Sequence, residues 1–210
     1  MNPPTICMIV AADEAYGIGN RGKIQWQSRE DMQFFKKVTT NQVVVMGVNT
    51  AKSIIEDRGH TSGPILPNRQ VIVLWDDRTN LHAKDQEQQE RMEQFSYFYQ
   101  CECLFNFPGV LSNIAQKYPG KIIYLAGGMG TYQQHHQECS HLLYTSIKGY
   151  YDQDRQIKPI IDDWRMHSIL EAGVNLSDQA YLSLRRRITG HQTPQELINH
   201  FEQLLPTMHQ

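Results

Sequence analysis

Five short apolar runs, each handing over to a turn or a helical pattern, constrain the architecture of this chain more than any other feature. Ile6 to Ala12, Val43 to Met46, Gln70 to Trp75, Lys121 to Ala126 and His141 to Ile147 show no clean alternation of polar and apolar residues. A strand without a polar face is covered on both sides, which is the situation of parallel strands flanked by helices. Helical patterns lie between the runs. Ser28 suits an N-cap, with Asp31 three positions on as an approximate capping box. The helix from Arg29 to about Val38 then puts Met32, Phe35 and Val38 on one stripe. Thr50 to Ile55, Pro108 to Lys117 (Val110, Leu111 and Ile114 inward) and Thr131 to His136 read as further helices. The expected fold is therefore α/β, a mostly parallel central sheet with helices on both faces.

The C-terminal third departs from this pattern. Trp164, Met166 and Ser168 alternate with Arg165, His167 and Ile169, and Tyr181 to Ile188 behaves alike. Two such strands without a helix between them predict an antiparallel edge to the sheet. Thr193-Pro194 starts a helix, with Pro194 at its first position and Leu197, Phe201, Leu204 and Leu205 on one face. Residues 76–95 are polar and predict a loop with some helix. Ser96 to Leu104 predicts a strand on which Cys101 and Cys103 point the same way. No repeat or linker divides the chain. The domain expectation is one unit over 1–190, with a C-terminal helical extension over 191–210.

Composition sets limits on function. With 210 residues and a formal net charge of -2, the chain gives no electrostatic case for nucleic acid or an acidic membrane. Arg185, Arg186 and Arg187, the densest basic run, read as a solvated strand face. No apolar stretch approaches the roughly 20 residues that span a bilayer. Met1-Asn2-Pro3-Pro4 has neither a basic nor an apolar leader region, so no secretory signal is expected. Four cysteines suit a reducing cytoplasm rather than a disulfide scaffold. His135, His136, Cys139 and His141 fit no closed zinc spacing and read as surface polar residues at a helix end; no metal is expected.

Chemistry in such a sheet gathers beyond the carboxyl ends of the strands. Three features should meet there: the loop from Tyr16 to Lys23 with three glycines, Asp31 on the first helix, and Gly127-Gly128. A carboxylate beside an apolar stripe needs a partner or a function. Taken alone, Asp31 reads as a helix-cap residue.

The longer context changes that. "IVAADEAYGIGNRGKIQWQSREDMQFFKKVTT", from Ile9 to Thr40, resembles the N-terminal part of dihydrofolate reductases. "VVVMGVNTAKSI" resembles their second strand and cofactor helix, and "LPNRQVIVL" the turn carrying a substrate-binding arginine. "IIYLAGGMGTYQ" and "LLYTSI" resemble the Gly-Gly-x-x-x-Tyr cofactor segment and the next strand. The segments keep the family's order through residues 5 to 148. The resemblance implies hydride transfer from NADPH, with NADH as the alternative, to 7,8-dihydrofolate. By position it makes Asp31 the acid that holds the pterin and favours protonation at N5, Thr145 its hydroxyl partner, and Trp26 part of the closing loop. It places Ile9, Val10, Ala11, Met32, Phe35, Ile54 and Leu66 along the substrate, and Arg69 on its α-carboxylate. To the cofactor it assigns Ala11, Ile18, Gly19, Ile24, Gly47, Asn49, Thr50, Asp76, Gly127, Gly128, Gly130, Thr131 and Tyr132. Antifolate inhibitors are expected ligands, and the oligomeric expectation is a monomer or homodimer.

Departures from the family pattern are visible. Val48, Trp75-Asp76 and Gly130 stand where basic or hydroxyl side chains usually read the adenosine 2′-phosphate, so comparatively good use of NADH is a hypothesis, with Lys52 as a replacement cation. Gln25, Ser28-Arg29 and Ala51 also differ. Beyond residue 150 the match fades. Two other readings stay open: a pteridine or pyrimidine reductase of the same fold, and a non-catalytic binding or structural descendant.

Overall fold

From the N-terminus the chain forms β1 (Ile6–Asp13), β2 (Gly17–Gly19), α1 (Arg29–Thr39), β3 (Val43–Gly47), α2 (Val48–Asp57) and β4 (Gln70–Trp75). There follow α3 (Asp85–Tyr99), β5 (Glu102–Phe105), α4 (Val110–Lys117), β6 (Ile123–Leu125), α5 (Met129–His135) and a 3-10 turn, His136–Glu138. β7 (His141–Ile147), β8 (Arg155–Gln156), α6 (Lys158–His167), β9 (Ser168–Ser177), β10 (Ala180–Arg187) and α7 (Gln195–Glu202) complete it. This computed structural model describes residues 4–59, 62–75, 85–188 and 192–204. Among them, no helix is long and apolar enough to cross a membrane.

The main sheet has eight strands in the order β5-β4-β3-β6-β1-β7-β10-β9. β5 through β7 pair in parallel, whereas β10 runs antiparallel to both β7 and β9. Alternate β1 side chains explain why the strand shows no polar face. Ile6, Met8, Val10 and Ala12 join one apolar layer, with α4, α5 and α6 residues such as Ile114, Tyr132 and Trp164. Cys7 and Ile9 join the opposite layer, with Phe34, Val38, Ala51, Ile55, Leu197 and Phe201 from α1, α2 and α7. Helices therefore cover both faces, as expected. A separate two-stranded piece pairs β2 with β8, tying the glycine loop to residues 155–156.

Several local expectations are corrected. Residues 96–99 close α3 rather than opening a strand, and β5 begins only at Glu102. Aromatic residues favour strands, but here Phe95 and Tyr99 sit four apart on a helix with ring centroids 4.7 Å apart. Trp164 to His167 belongs to α6 and only Ser168 onward is strand. A six-residue window fits either period; Ile160, Ile161 and Trp164, at helical spacing and all buried, decide it. On α1 the buried pair is Phe34 and Val38, four apart, while Met32 is 69% exposed. The strand expected from Lys121 is shorter, and Pro194 caps α7 from outside its first turn.

Burial corrects two further readings. His135, Cys139 and His141 are buried rather than on the surface. The His135 ring nitrogens meet Glu138 Oε1 and Asn106 Oδ1, each at 2.6 Å, and those of His141 meet Ser140 and Thr193. The arginine triplet is half-buried rather than solvated. Arg186 pairs with Glu171 at 2.5 Å, and Arg187 pairs with Asp163 at 2.9 Å while lying over the Trp164 ring. α7 rests on α1 through an edge contact of Phe201 with Phe34, and on the turn after α1 through a hydrogen bond from Gln42 to Glu196. Leu205 lies outside the described residues.

Candidate active site

Asp31 sits in the first turn of α1, where its N–H donates to Ser28 Oγ at 3.2 Å. The cap and the carboxyl are thus separate duties of one residue. β7 lies beside β1 with Ala11 opposite Thr145, and the Thr145 side chain lies near enough to Asp31 across the crevice to act on its carboxyl. Burial raises the Asp31 pKa above the ordinary carboxyl range, and Thr145 opposes that rise. From the other side, the buried Tyr132 hydroxyl of α5 donates to Ile9 O at 2.8 Å. Burial pushes the Tyr132 phenol up, with smaller contributions from Cys139 and from the Asp31 charge. Four elements therefore bring Asp31, Thr145, Ala11, Ile9 and Tyr132 together. The Val10 side chain points into the opposite layer.

Next to Tyr132 the backbone forms a cradle. The Gly127–Gly128 peptide is cis, and Gly127 O accepts from Gly47 N at 2.7 Å. A Cβ on Gly128 would stand 2.8 Å from Thr50 Oγ1, and one on Gly47 2.7 Å from Thr131 Oγ1. A side chain at either place would force the threonine hydroxyl to move. The starts of α2 and α5 meet there, presenting backbone N–H groups and two threonine hydroxyls, a donor set suited to phosphate oxygens. Asn49 and Gly130 are exposed at the same two helix starts. Lys52, one turn into α2, holds its ammonium 5.7 Å from the Trp75 ring at the end of β4. Asp76 lies outside the described residues.

The glycine loop is held by a residue that sequence reasoning missed. Asp13, at the end of β1 and 1% exposed, collects three backbone amides. Oδ1 accepts from Ala15 N at 2.9 Å and Gly17 N at 2.7 Å, and Oδ2 from Tyr151 N at 3.0 Å. It joins the loop after β1 to the loop before β8. The available signal was an acid placed directly between a buried strand and a glycine-rich turn. Trp26 is buried with Ile147, Ala180 and Ala11, its ring 5.8 Å from that of Tyr151. Gly19 is buried and Ile18 half-buried, whereas Ile24 is exposed.

Ile9, Phe35, Ile54 and Leu66 share one apolar layer. Arg69 is half-buried, and its Nε is buried without a hydrogen-bond partner. Burial lowers its pKa first and the neighbouring Arg58 adds to this, while Arg58 itself donates to Ile65 O at 2.8 Å. A buried guanidinium N–H without an acceptor, beside a second cation, fits an incoming carboxylate. Elsewhere, a cavity of about 660 Å³ opens between β9, β10 and α7, and it is lined by none of the predicted site residues.

A crevice at the carboxyl ends of parallel strands, with a half-buried acid on one side and a glycine cradle between two helix starts on the other, defines a ligand-binding α/β protein. The dihydrofolate reductase family model matches residues 5–181, and the chain belongs to that family. A segment of 37 residues is 62% identical to dihydrofolate reductase type A10 of Escherichia coli, covering 17% of this chain and 20% of that one. Dihydrofolate reductase of Staphylococcus aureus is 24% identical over 188 residues, 87% of this chain and 99% of its own. Among solved structures, dihydrofolate reductase from Enterococcus faecalis, complexed with NADP(H) and RAB-propyl, matches with a TM-score of 0.68. Its identity is 23%, over 89% of this chain and 98% of that one; at that identity the likeness is one of fold.

Proposed function

We propose that the chain reduces 7,8-dihydrofolate to tetrahydrofolate with NADPH. The observation that carries this is the half-buried Asp31 carboxyl, its pKa raised by burial, with Thr145 beside it and the glycine cradle of α2 and α5 on the other side of the crevice. Ionised, the carboxylate accepts from the pterin amino group and N3–H; with its pKa raised, it also favours a proton at N5. Ile9, Phe35, Ile54 and Leu66 wall the substrate, and Arg69 takes its α-carboxylate in a planar fork. Met32, exposed on the same helix, closes against bound substrate.

Gly47, Thr50, Gly127, Gly128 and Thr131 hold the pyrophosphate, with Tyr132 and Ala11 beside the nicotinamide. Bound there, the reduced nicotinamide supplies a hydride to the pterin. Trp26 and the loop tied down by Asp13 keep water out. Lys52 beside Trp75 is the cation available to a 2′-phosphate, which favours NADPH, with NADH as the slower alternative. Antifolate inhibitors compete for the same crevice. Free thiols at all four cysteines suit the cytoplasm. The domain reading is 1–190, with the 191–210 extension docked on it through Phe201.

The test follows the near-ultraviolet absorbance of the reduced nicotinamide with purified chain and dihydrofolate. A decline that needs both substrates, and is faster with NADPH than NADH, is expected. No decline with either donor would remove the assignment.

A further inference from the structure

The cysteine pair at the far edge of the sheet serves none of these roles. We propose that Cys101 and Cys103 form a second chemical site, a dithiol that closes to an intramolecular disulfide by exchange with a small disulfide of the glutathione class. Their sulfurs lie 4.0 Å apart, and a disulfide needs them closer by roughly 2 Å. The backbone allows that approach. The first residue of β5 in register with β4 is Glu102, opposite Ile72, so Cys101 precedes the ladder. It follows a turn in which Gln100 has φ 46, and it is tied to α3 through Ser96. β5 is the edge strand, and half-buried Cys103 is the more accessible of the two thiols.

The surroundings favour a thiolate at Cys103. The Cys101 thiol is the largest influence on its pKa and lowers it, and the Trp75 indole N–H adds to this, while burial and the Glu102 charge oppose them without reversing the direction. That N–H is buried and makes no hydrogen bond of ordinary geometry, so an anionic sulfur beside it gains a donor. Cys7 and Cys139, by contrast, are buried in the two core layers, where burial pushes their thiols well up. Among the described residues no three His, Cys, Asp or Glu side chains cluster to hold a metal ion. Two sulfurs alone make a dithiol rather than a metal centre.

The exchange balances. Cys103 thiolate attacks one sulfur of glutathione disulfide and releases a glutathione thiolate. Cys101 thiolate then attacks the Cys103 sulfur of the mixed disulfide and releases the second. The two cysteine protons pass to the two glutathione thiolates. The protein loses two protons and two electrons, and glutathione disulfide is reduced to two thiols.

The test exposes the folded full chain to glutathione disulfide, then alkylates and maps its cysteines by mass. Loss of two hydrogens from the peptide holding residues 101–103, with Cys7 and Cys139 still free thiols, is expected. Cys101→Ser should stop at a glutathione adduct on Cys103, and Cys103→Ser should give neither product, with thermal melts checking that both fold. Binding of phenylarsine oxide, which bridges paired thiols, needs no oxidation and should weaken about a hundredfold in either variant. Four free thiols after oxidation, a persistent glutathione adduct on the unsubstituted chain, or arsenical binding unaffected by both substitutions would overturn the proposal.

Discussion

Thr145 of β7 lies beside the carboxyl of Asp31 on α1 and lowers its pKa, against the larger rise that burial causes. Replacing the acid by its amide keeps the shape and removes the titration. Asp31→Asn should cut turnover of dihydrofolate at neutral pH by about 10²–10⁴-fold, the usual contribution of a positioned acid or base. The circular dichroism spectrum should be unchanged, and activity within a few-fold of the unsubstituted chain would remove Asp31 from the chemistry.

The same pair sets the pH dependence. Burial raises the Asp31 pKa in the folded chain above its unfolded value. Its stabilising contribution is therefore complete below the unfolded value and lost as pH rises through the folded one. kcat/KM should fall through that same folded pKa as the proton is lost. Thr145→Val removes the hydroxyl that lowers the pKa, so its alkaline limb should lie at higher pH. A profile displaced the other way would refute the assignment of cause.

At the cradle, Gly128→Ala would place a methyl 2.8 Å from Thr50 Oγ1. Overpacking of this kind costs about 1–3 kcal/mol. If it falls on the bound state, the NADPH Kd measured by fluorescence titration should rise about 5- to 150-fold. Dihydrofolate binding to the free protein should change little.

Arg69 has an Nε without an acceptor and lies near Arg58. A hydrogen bond to a charged group contributes about 1.5–3 kcal/mol. Arg69→Leu should then raise the KM for dihydrofolate about 10- to 150-fold with kcat nearly kept. A pterin substrate lacking the glutamate should be indifferent to the change; equal losses for both substrates would place Arg69 elsewhere in the mechanism.

Asp13 satisfies the amides of Ala15, Gly17 and Tyr151 at once. Asp13→Ala leaves three donors unpaired, each costing about 1–3 kcal/mol if it stays buried, so the loop should open instead. Limited proteolysis should cut between residues 14 and 25, and kcat should fall. A loop equally resistant to protease in the variant would show that another contact holds it.

What the sequence determined by itself were the features carried by a few neighbouring residues. Buried runs marked β1, β3, β4 and β7, Ser28 marked the start of α1, and Gly127-Gly128 marked the cradle before any contact was known. A double glycine after a buried strand is a signal carried by neighbouring residues, whereas Gly47 entered the cofactor set through the family resemblance. The α3 end and α6 were misread because short aromatic or mixed windows fit two periods, and packing on Trp75 and the core chose between them. Asp13 and the arginine triplet were misread or missed because burial of a polar group depends on partners far along the chain. The same holds for Asp31: its neighbours supplied a helix cap, the family resemblance named Thr145 as its partner, and the fold sets the two on facing elements. Propensity and turn geometry act over a few residues, whereas desolvation and hydrogen bonding act through space. The tertiary structure alone decides those.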